Sequence, residues 1–363
     1  MIDLKTLSRG EIEAFVETLG RKAYRGRQIF LWLYKKGATS FDAMTDLPLD
    51  FREQLKEVAT IGRIELQQLR TAADQTAKAL FTLPSGRKVE TVLIPDIDAN
   101  AGANRLTVCV SSQVGCAMAC GFCATGKMGF LENLTSGAIY DQAHYMDRLA
   151  LERYGRPITN IVFMGMGEPL LNLANVMLSI ECLTHPDGLG LAPRRITVST
   201  VGLAKRIKQF ADANAGVNLA VSLHAPTDAK RSLIMPVNRA AATDLSALRE
   251  SIRYFSNKTG RRVTYEYCMF DGFNDSTDDA VKLAEFVEDA PGKVNLIMYN
   301  PVEGLDFKRT PDDRLDAFIQ VLVQRGVTVT VRRSRGQDID AACGQLAVRE
   351  DASGTRRVHS GVL

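Results

Sequence analysis

Three cysteines fall within eight residues, in the stretch CAMACGFC from Cys116 to Cys123. The spacing is C-x₃-C-x₂-C, in a loop rich in glycine and alanine with Phe122 just before the last thiol. Thiolates grouped this closely hold zinc or an iron–sulfur cluster, and closed sites of either kind use four ligands. Here only three are local. A zinc site completed by a distant ligand, a closed electron-transfer cluster completed in the same way, and three buried thiols are all readings of the count alone. Four further cysteines stand at 109, 182, 268 and 343. An odd total in a chain placed in the reducing cytosol does not predict a disulfide framework. Cys182 and Cys268 lie in the apolar runs LSIECL and YEYCMF and read as buried structural thiols. Cys109 and Cys343 need another account.

The chain has 363 residues, 45% hydrophobic and 24% charged, enough for a large domain with a smaller one or for two ordinary domains. No apolar run approaches the roughly 18–20 residues of a membrane span. The first residues, MIDLKTLSRGEIEAF, contain acids and no apolar core of a signal peptide, so a cytoplasmic protein is expected, with no membrane partner. The net charge of +3 decides little. Its distribution says more: Arg21, Lys22, Arg25, Arg27, Lys35 and Lys36 occur between Arg21 and Phe41 with no acid, and Tyr24, Phe30, Trp32 and Tyr34 lie among them. This is either the solvated face of an amphipathic helix or a surface for an RNA backbone.

Elements that could position the cysteines follow from periodicity. Residues 1–60 read as a small helical N-terminal domain, with a capping box at Ser8–Glu11, a second helix over RQIFLWLYKKG and a third after Pro48. Residues 61–100 change to a period of two, with PSG as a hairpin turn, and predict a short antiparallel β extension ending in the polar connection 96–105. From 101 to 350, strand-like runs (LTVCVSS, ITNIVFM, RRITVST, VNLAVSLHA, RVTYEYCMF, KVNLIMY, VTVTVRR) mostly alternate with segments of helical period. This is a βα repeat, hence a parallel sheet or barrel. With the first run as a lead-in, about six strands remain, which suggests a partial barrel open on one side. Residues 351–363 read as a tail.

The unusual residues recur at one place in that repeat. CAMACGFC follows the first run, GMGEP (165–169) the second, STVG (199–202) ends the third, SLHAP (222–226) the fourth, YNP (299–301) the sixth, and RSRGQDIDAACGQL follows the seventh. In a βα barrel the C-terminal strand ends share one rim, where active sites form.

The cysteine pattern in this setting closely resembles the radical S-adenosylmethionine (SAM) superfamily. The resemblance implies an α/β fold with a partial (β/α)6 radical SAM barrel. It also implies that Cys116, Cys120 and Cys123 hold a [4Fe–4S] cluster whose fourth iron stays open for SAM. MGMGEPLLN, ITVSTVG, VSLHAP, NLIMYNP and RGQDIDAACGQL narrow the likeness to the RlmN family and its relative Cfr, over the chain as far as Leu346. RlmN enzymes methylate carbon 2 of an adenosine in 23S rRNA and in certain tRNAs; Cfr acts on carbon 8.

What this implies is a route around an electronic problem. Carbon 2 of adenine lies between two ring nitrogens and is too electron-poor to attack a sulfonium methyl. In the family, one SAM methylates a cysteine that maps to Cys343. A second SAM, split at the cluster, yields a radical that takes a hydrogen from the S-methyl group. The resulting carbon radical adds to adenine. A second cysteine, mapping to Cys109, then attacks the sulfur of Cys343 and frees the product. Glu90, in VETV, maps to the base that removes the carbon-2 proton, although its link to Cys109 is longer than usual. Gly167, Glu168, Ser199, Ser222, Leu223, His224 and Asn300 map to SAM contacts, with a satisfied structural histidine as the other reading of His224. Met298 replaces a proline common before the aromatic–Asn pair. An electron donor such as flavodoxin or ferredoxin and a monomeric state are also implied. Carbon-8 methylation, and a cluster-based redox module without methyl transfer, are the alternatives.

Overall fold

A computed structural model describes residues 1–98, 102–239, 243–332 and 334–348. The tail 351–363, Arg333 of the last motif and the middle of the 96–105 connection lie outside the described residues.

Helices Arg9–Thr18, Tyr24–Tyr34 and Leu49–Val58 build the N-terminal part. The first begins on a closed capping box: the Ser8 hydroxyl accepts from Glu11 N–H, and the Glu11 carboxylate accepts from Ser8 N–H at 2.7 Å. The second lies so close to the first that a Cβ at Gly26 would stand 2.6 Å from Glu13 Cα. Its buried stripe (Ile29, Phe30, Leu33, Tyr34) does not close on the N-terminal helices alone. Tyr34 meets Tyr140 edge-on at 4.8 Å and Phe30 meets His185 at 4.9 Å, so these helices share one apolar core with the barrel. Cys182 belongs to this junction, buried beside the Tyr34 hydroxyl. The basic stretch divides. Arg21 pairs with Asp50 at 2.8 Å, Arg25 donates to the Asp46 carbonyl, Lys35 to the Pro186 carbonyl, and Lys36 stands 3.6 Å over the Trp32 ring. Lys22 and Arg27 remain exposed.

One ten-stranded sheet carries the rest. Strands Glu65–Thr71, Ala77–Thr82, Lys88–Asp98 and Gly102–Cys109 form an antiparallel meander. Asn160–Phe163, Ile196–Thr200, Asn218–Ser222, Val263–Met269, Gly292–Met298 and Val329–Arg332 continue it in parallel. The lead-in strand is hydrogen-bonded on both sides: Cys109 lies opposite Val92 in the meander and opposite Val162 in the first barrel strand. The extension is therefore a continuation of the barrel sheet. Among the described residues no pairing joins its two edge strands, so the barrel is open.

Helices of 10 to 19 residues, the first at Ser136–Tyr154 and the last at Asp312–Gln324, cross between the parallel strands. Short polar signals set their ends, as at the Thr135 and Asp244 N-caps and the left-handed Gly155 and Gly260 C-caps. The sheet curls around a cavity at its C-terminal rim. Cys109, Ser199, Ser222, Glu266, Ile297 and Arg332, from six different strands, all line it. No helix among the described residues is long and apolar enough to cross a membrane.

Candidate active site

The cluster loop leaves the sheet through the short strand Gln113–Gly115, paired with Phe130–Asn133. Gly115 sits at φ +71°, and a Cβ there would collide with the Gly129 carbonyl, so the turn into Cys116 requires glycine. Beyond it the loop is pinned by backbone bonds: Cys116 N–H to Gly129 O (2.8 Å), Gly121 N–H to Ile234 O (2.8 Å), and Ala124 N–H to Gly344 O (2.8 Å). Phe122 packs edge-on against the His224 ring at 4.8 Å. Cys116, Cys120 and Cys123 all line the rim cavity, and all are free thiols. Burial pushes the Cys116 thiol up to about 12 and Cys120 higher still, and the neighbouring cysteines add to both shifts. A polycationic guest in the space that the three sulfurs share would offset that cost for Cys116 and Cys120, and three thiolates are the ligands it would take. Among the described residues no three Cys, His, Asp or Glu converge as ligands of one ion. A cluster does not need that convergence, because each thiolate binds a separate iron.

The wall facing this loop is built by GMGEP. A Cβ at Gly165 would lie 2.6 Å from Ser111 Oγ, and one at Gly167 (φ +97°) 2.5 Å from Gln113 Cβ, so the strand end lies flush against the cluster-loop strand. Glu168 is buried, accepting from Val201 N–H at 2.8 Å and Leu170 N–H at 3.0 Å. Burial nonetheless raises its carboxyl to about 7. Gly167, Glu168, Ser199, Ser222 and His224 share the cavity wall. His224 takes φ +56°, and its Nδ1 accepts from Cys268 N–H at 2.9 Å, which leaves the neutral ring's proton on Nε2. Burial lowers its pKa to about 3 and keeps it neutral. Leu223 is different: its side chain is fully buried in the hydrophobic core, and only its backbone is near the rim. Asn300 is also turned elsewhere. Its Nδ2 donates to Cys343 O at 3.2 Å, and its Oδ1 accepts from Gln337 Nε2 at 2.8 Å.

Cys109 and Cys343 lie in the same cavity as the three-cysteine loop. Burial pushes the Cys109 thiol up to about 12, with Cys343 adding to the shift and Arg332 opposing it. Burial also raises Cys343, again against Arg332. Arg332 serves both thiols and the buried Glu266. Burial alone would lower its guanidinium pKa, and Cys343, Glu266 and Cys109 more than offset that. Glu90 is not in the cavity wall. It stands behind the Cys343 loop, ion-paired to Lys78 at 2.9 Å and accepting from Ala347 N–H at 3.0 Å.

Comparison with known proteins finds matches to two parts of the chain. Residues 2–61 match the family described as "Ribosomal RNA large subunit methyltransferase N-terminal domain", and residues 110–284 match the radical SAM superfamily. A protein of Salinibacter ruber, described as "Probable dual-specificity RNA methyltransferase RlmN", is 61% identical over 346 residues, covering 95% of this chain and 94% of its own. The chain belongs to the RlmN family. The Geobacter sulfurreducens "Dual-specificity RNA methyltransferase RlmN" is 46% identical over 97% of this chain and 94% of its own. A crystal structure of a radical SAM methyltransferase from Sphaerobacter thermophilus superposes with a TM-score of 0.87 at 42% identity, covering 95% of this chain and 99% of that one. As a member of the RlmN family the chain is a radical SAM enzyme of the RNA methyltransferase type, and the cofactors of that class are a [4Fe–4S] cluster and SAM.

Several residues of this RlmN-family site escape sequence reasoning. Glu266 and Cys268 sit within an apolar run, yet both line the cavity. They are two apart on one strand and therefore face the same way. The charge inside YEYCMF was the signal. Arg332 carries no such signal, because it falls in phase with Thr328 and Thr330 in the alternation of VTVTVRR. Lys78, the buried cation behind the Cys343 loop, has no such mark, because Lys and Ala alternate ordinarily there.

Gly167→Ala is an informative variant of this RlmN-family chain. A Cβ in left-handed backbone, 2.5 Å from Gln113, is expected to cost about 2–4 kcal/mol of stability. It should also weaken SAM binding at the displaced wall. Urea unfolding and equilibrium SAM binding measure the two effects, and an unchanged pair of values would contradict the close approach.

Proposed function

We propose that this enzyme methylates carbon 2 of an adenosine in 23S rRNA and in certain tRNAs, by way of a methylated Cys343. The observation that carries the reading is that Cys109, at a strand end, and Cys343, on a loop, share the cavity of Cys116, Cys120 and Cys123 and one Arg332, whereas Cys268, also in the cavity wall, is buried within a strand. A redox or structural cluster has no use for the pair Cys109 and Cys343. Relatives described as dual-specificity RNA methyltransferases support the RNA substrates.

In this reading Cys116, Cys120 and Cys123 hold the cluster, and Gly167, Glu168, Ser199, Ser222 and His224 bind SAM beside it. Bound there, the cluster supplies the electron that splits SAM into a carbon radical. Cys343 takes a methyl group from one SAM by substitution at sulfur, losing its thiol proton, with the Arg332 cation favouring the thiolate. Asn300 holds the Cys343 carbonyl and so fixes where the S-methyl group stands. The radical from a second SAM takes a hydrogen atom from the S-methyl group, and the carbon left on that sulfur bonds to carbon 2. The adduct would give up one electron to the cluster and the carbon-2 proton to Glu90. That carboxyl, made more basic by burial, stands behind the Cys343 loop, so this reading requires the loop to shift off it once RNA is bound. Cys109 then attacks the Cys343 sulfur. A disulfide forms, the bond from that sulfur to the product carbon breaks, and the carbon takes a proton. Flavodoxin or ferredoxin is the proposed electron source.

Mass spectrometry of nucleosides tests the assignment. Anaerobically reconstituted enzyme, given SAM, a reductant and 23S rRNA or tRNA transcripts, is expected to yield 2-methyladenosine. Formation of 8-methyladenosine would transfer the chain to Cfr-type chemistry. SAM cleavage without RNA methylation would reject the proposal.

A further inference from the structure

The Cys343 loop is held from two sides. On the barrel side the bonds are neutral: Asn300 Nδ2 to Cys343 O, Ala124 N–H to Gly344 O, and Gln345 Nε2 to Pro301 O at 2.9 Å. On the side of the antiparallel extension Asp74 accepts from Gly336 N–H and Asp338 accepts from Ala73 N–H, both at 2.9 Å, at the start of the loop, and nearer Cys343 the holding group is an ion pair. Lys78 Nζ lies 2.9 Å from Glu90 Oε1, and both side chains are only 7% exposed. Among the described residues each partner has one more bond, and both go to the same loop. Lys78 Nζ donates to Asp340 O at 3.1 Å, and Glu90 Oε2 accepts from Ala347 N–H at 3.0 Å. Asp340 is three residues before Cys343 and Ala347 four residues after it.

The strands explain how two residues twelve apart come to do this. Ala77–Thr82 and Lys88–Asp98 pair antiparallel with Leu80 opposite Glu90, so Lys78 is a diagonal neighbour of Glu90 on the same face. Diagonal neighbours in a sheet are within reach of long side chains. Burying such a pair is a poor way to stabilise a fold, because the desolvation of two charges offsets their attraction. A buried pair whose two spare bonds bracket one functional cysteine has a better use. Being charge-assisted, those bonds are stronger than the neutral ones on the barrel side.

We propose that Lys78 is a positioning residue: with Glu90 it clamps the loop on both sides of Cys343 and holds that sulfur at the cavity. The clamp itself stands on geometry, and its consequence for methyl transfer rests on the function proposed above.

The test is made on anaerobic holoenzyme, by hydrogen–deuterium exchange over residues 336–347 without RNA and by RNA methylation kinetics. Lys78→Met is expected to speed exchange of this segment at least tenfold. The kcat for RNA methylation should fall at least tenfold, with KM for RNA within twofold and SAM cleavage retained. Lys78→Arg, which keeps the charge and donors, is expected to restore most of the protection and rate. Lys78→Met leaves the Glu90 carboxyl buried without its partner, so the double variant Lys78→Met/Glu90→Leu is measured for exchange alongside it. That variant has no buried charge and should show the same loosened loop. Exchange within twofold of wild type in both variants would overturn the clamp. Faster exchange with unchanged kcat in Lys78→Met would overturn the positioning role. Failure of wild-type enzyme to methylate RNA counts against the proposed function alone, because the exchange measurement needs no RNA.

Discussion

Cys343→Ala is expected to lose RNA methylation to background, a fall of at least about 10³-fold, while still assembling the cluster and binding SAM. The size follows from the absence of a substitute. Of the other cavity thiols, Cys116, Cys120 and Cys123 are assigned to the cluster. Cys109 and Cys268 are buried on strands, the first at a strand end and the second within one. Among the described cavity thiols outside the three-cysteine loop, Cys343 alone sits on a loop and is partly exposed, where a sulfur can meet first SAM and then RNA. The reaction of its thiol with SAM also has a predicted pH dependence. Burial raises the Cys343 pKa, so the thiolate fraction, and with it the rate of self-methylation, should still be climbing above the pH at which an ordinary thiol has ionised. Iron analysis, SAM cleavage and peptide mass spectrometry separate these steps. Normal RNA methylation by the alanine variant would end the methylcysteine scheme.

Cys109→Ala is expected to stop the reaction one stage later and leave enzyme and RNA covalently joined. Cys109 ends the lead-in strand, buried, in the same cavity as Cys343 and electrostatically coupled to it through the shared Arg332. Its proposed task is to attack the Cys343 sulfur after the carbon has reached the base. Alanine fills most of the same volume and removes only the nucleophile, so cluster, SAM and RNA binding are retained. Released methylated RNA should fall at least about 10²-fold, with a stoichiometric adduct visible on denaturing gels and mapped by mass spectrometry to Cys343. Clean turnover without an adduct would remove Cys109 from the mechanism. The two variants therefore fail differently: one accumulates nothing, the other accumulates the intermediate.

Much of the site was legible because its parts are local. The loop from Cys116 to Cys123 is a single turn of chain, and GMGEP requires glycine because its strand end touches the neighbouring one. Capping at Ser8 and Glu11 and the PSG hairpin are equally short-range. Legibility failed where a residue's partner is distant in the chain. Leu223 lies between two cavity residues and still points its side chain into the core. Asn300 holds the Cys343 loop, 43 residues away, and Glu90 holds Ala347, 257 residues away. The antiparallel extension reads as a separate piece, yet Cys109 pairs with it on one side and with the barrel on the other.

The sequence by itself determined the chemistry available to this protein: three thiols at cluster spacing, two more outside the apolar runs, and a βα repeat that gathers strand ends at one rim. These depend on residue type, short spacing and periodicity, which the chain carries without folding. The tertiary structure alone decided which groups meet. It placed Arg332 beside both reactive thiols, moved Glu90 out of the cavity wall, and set Lys78 and Glu90 across the two sides of Cys343. Such encounters join segments hundreds of residues apart, and they are set by strand register and by which charges the packed sheet can bury, neither of which is written in any local pattern.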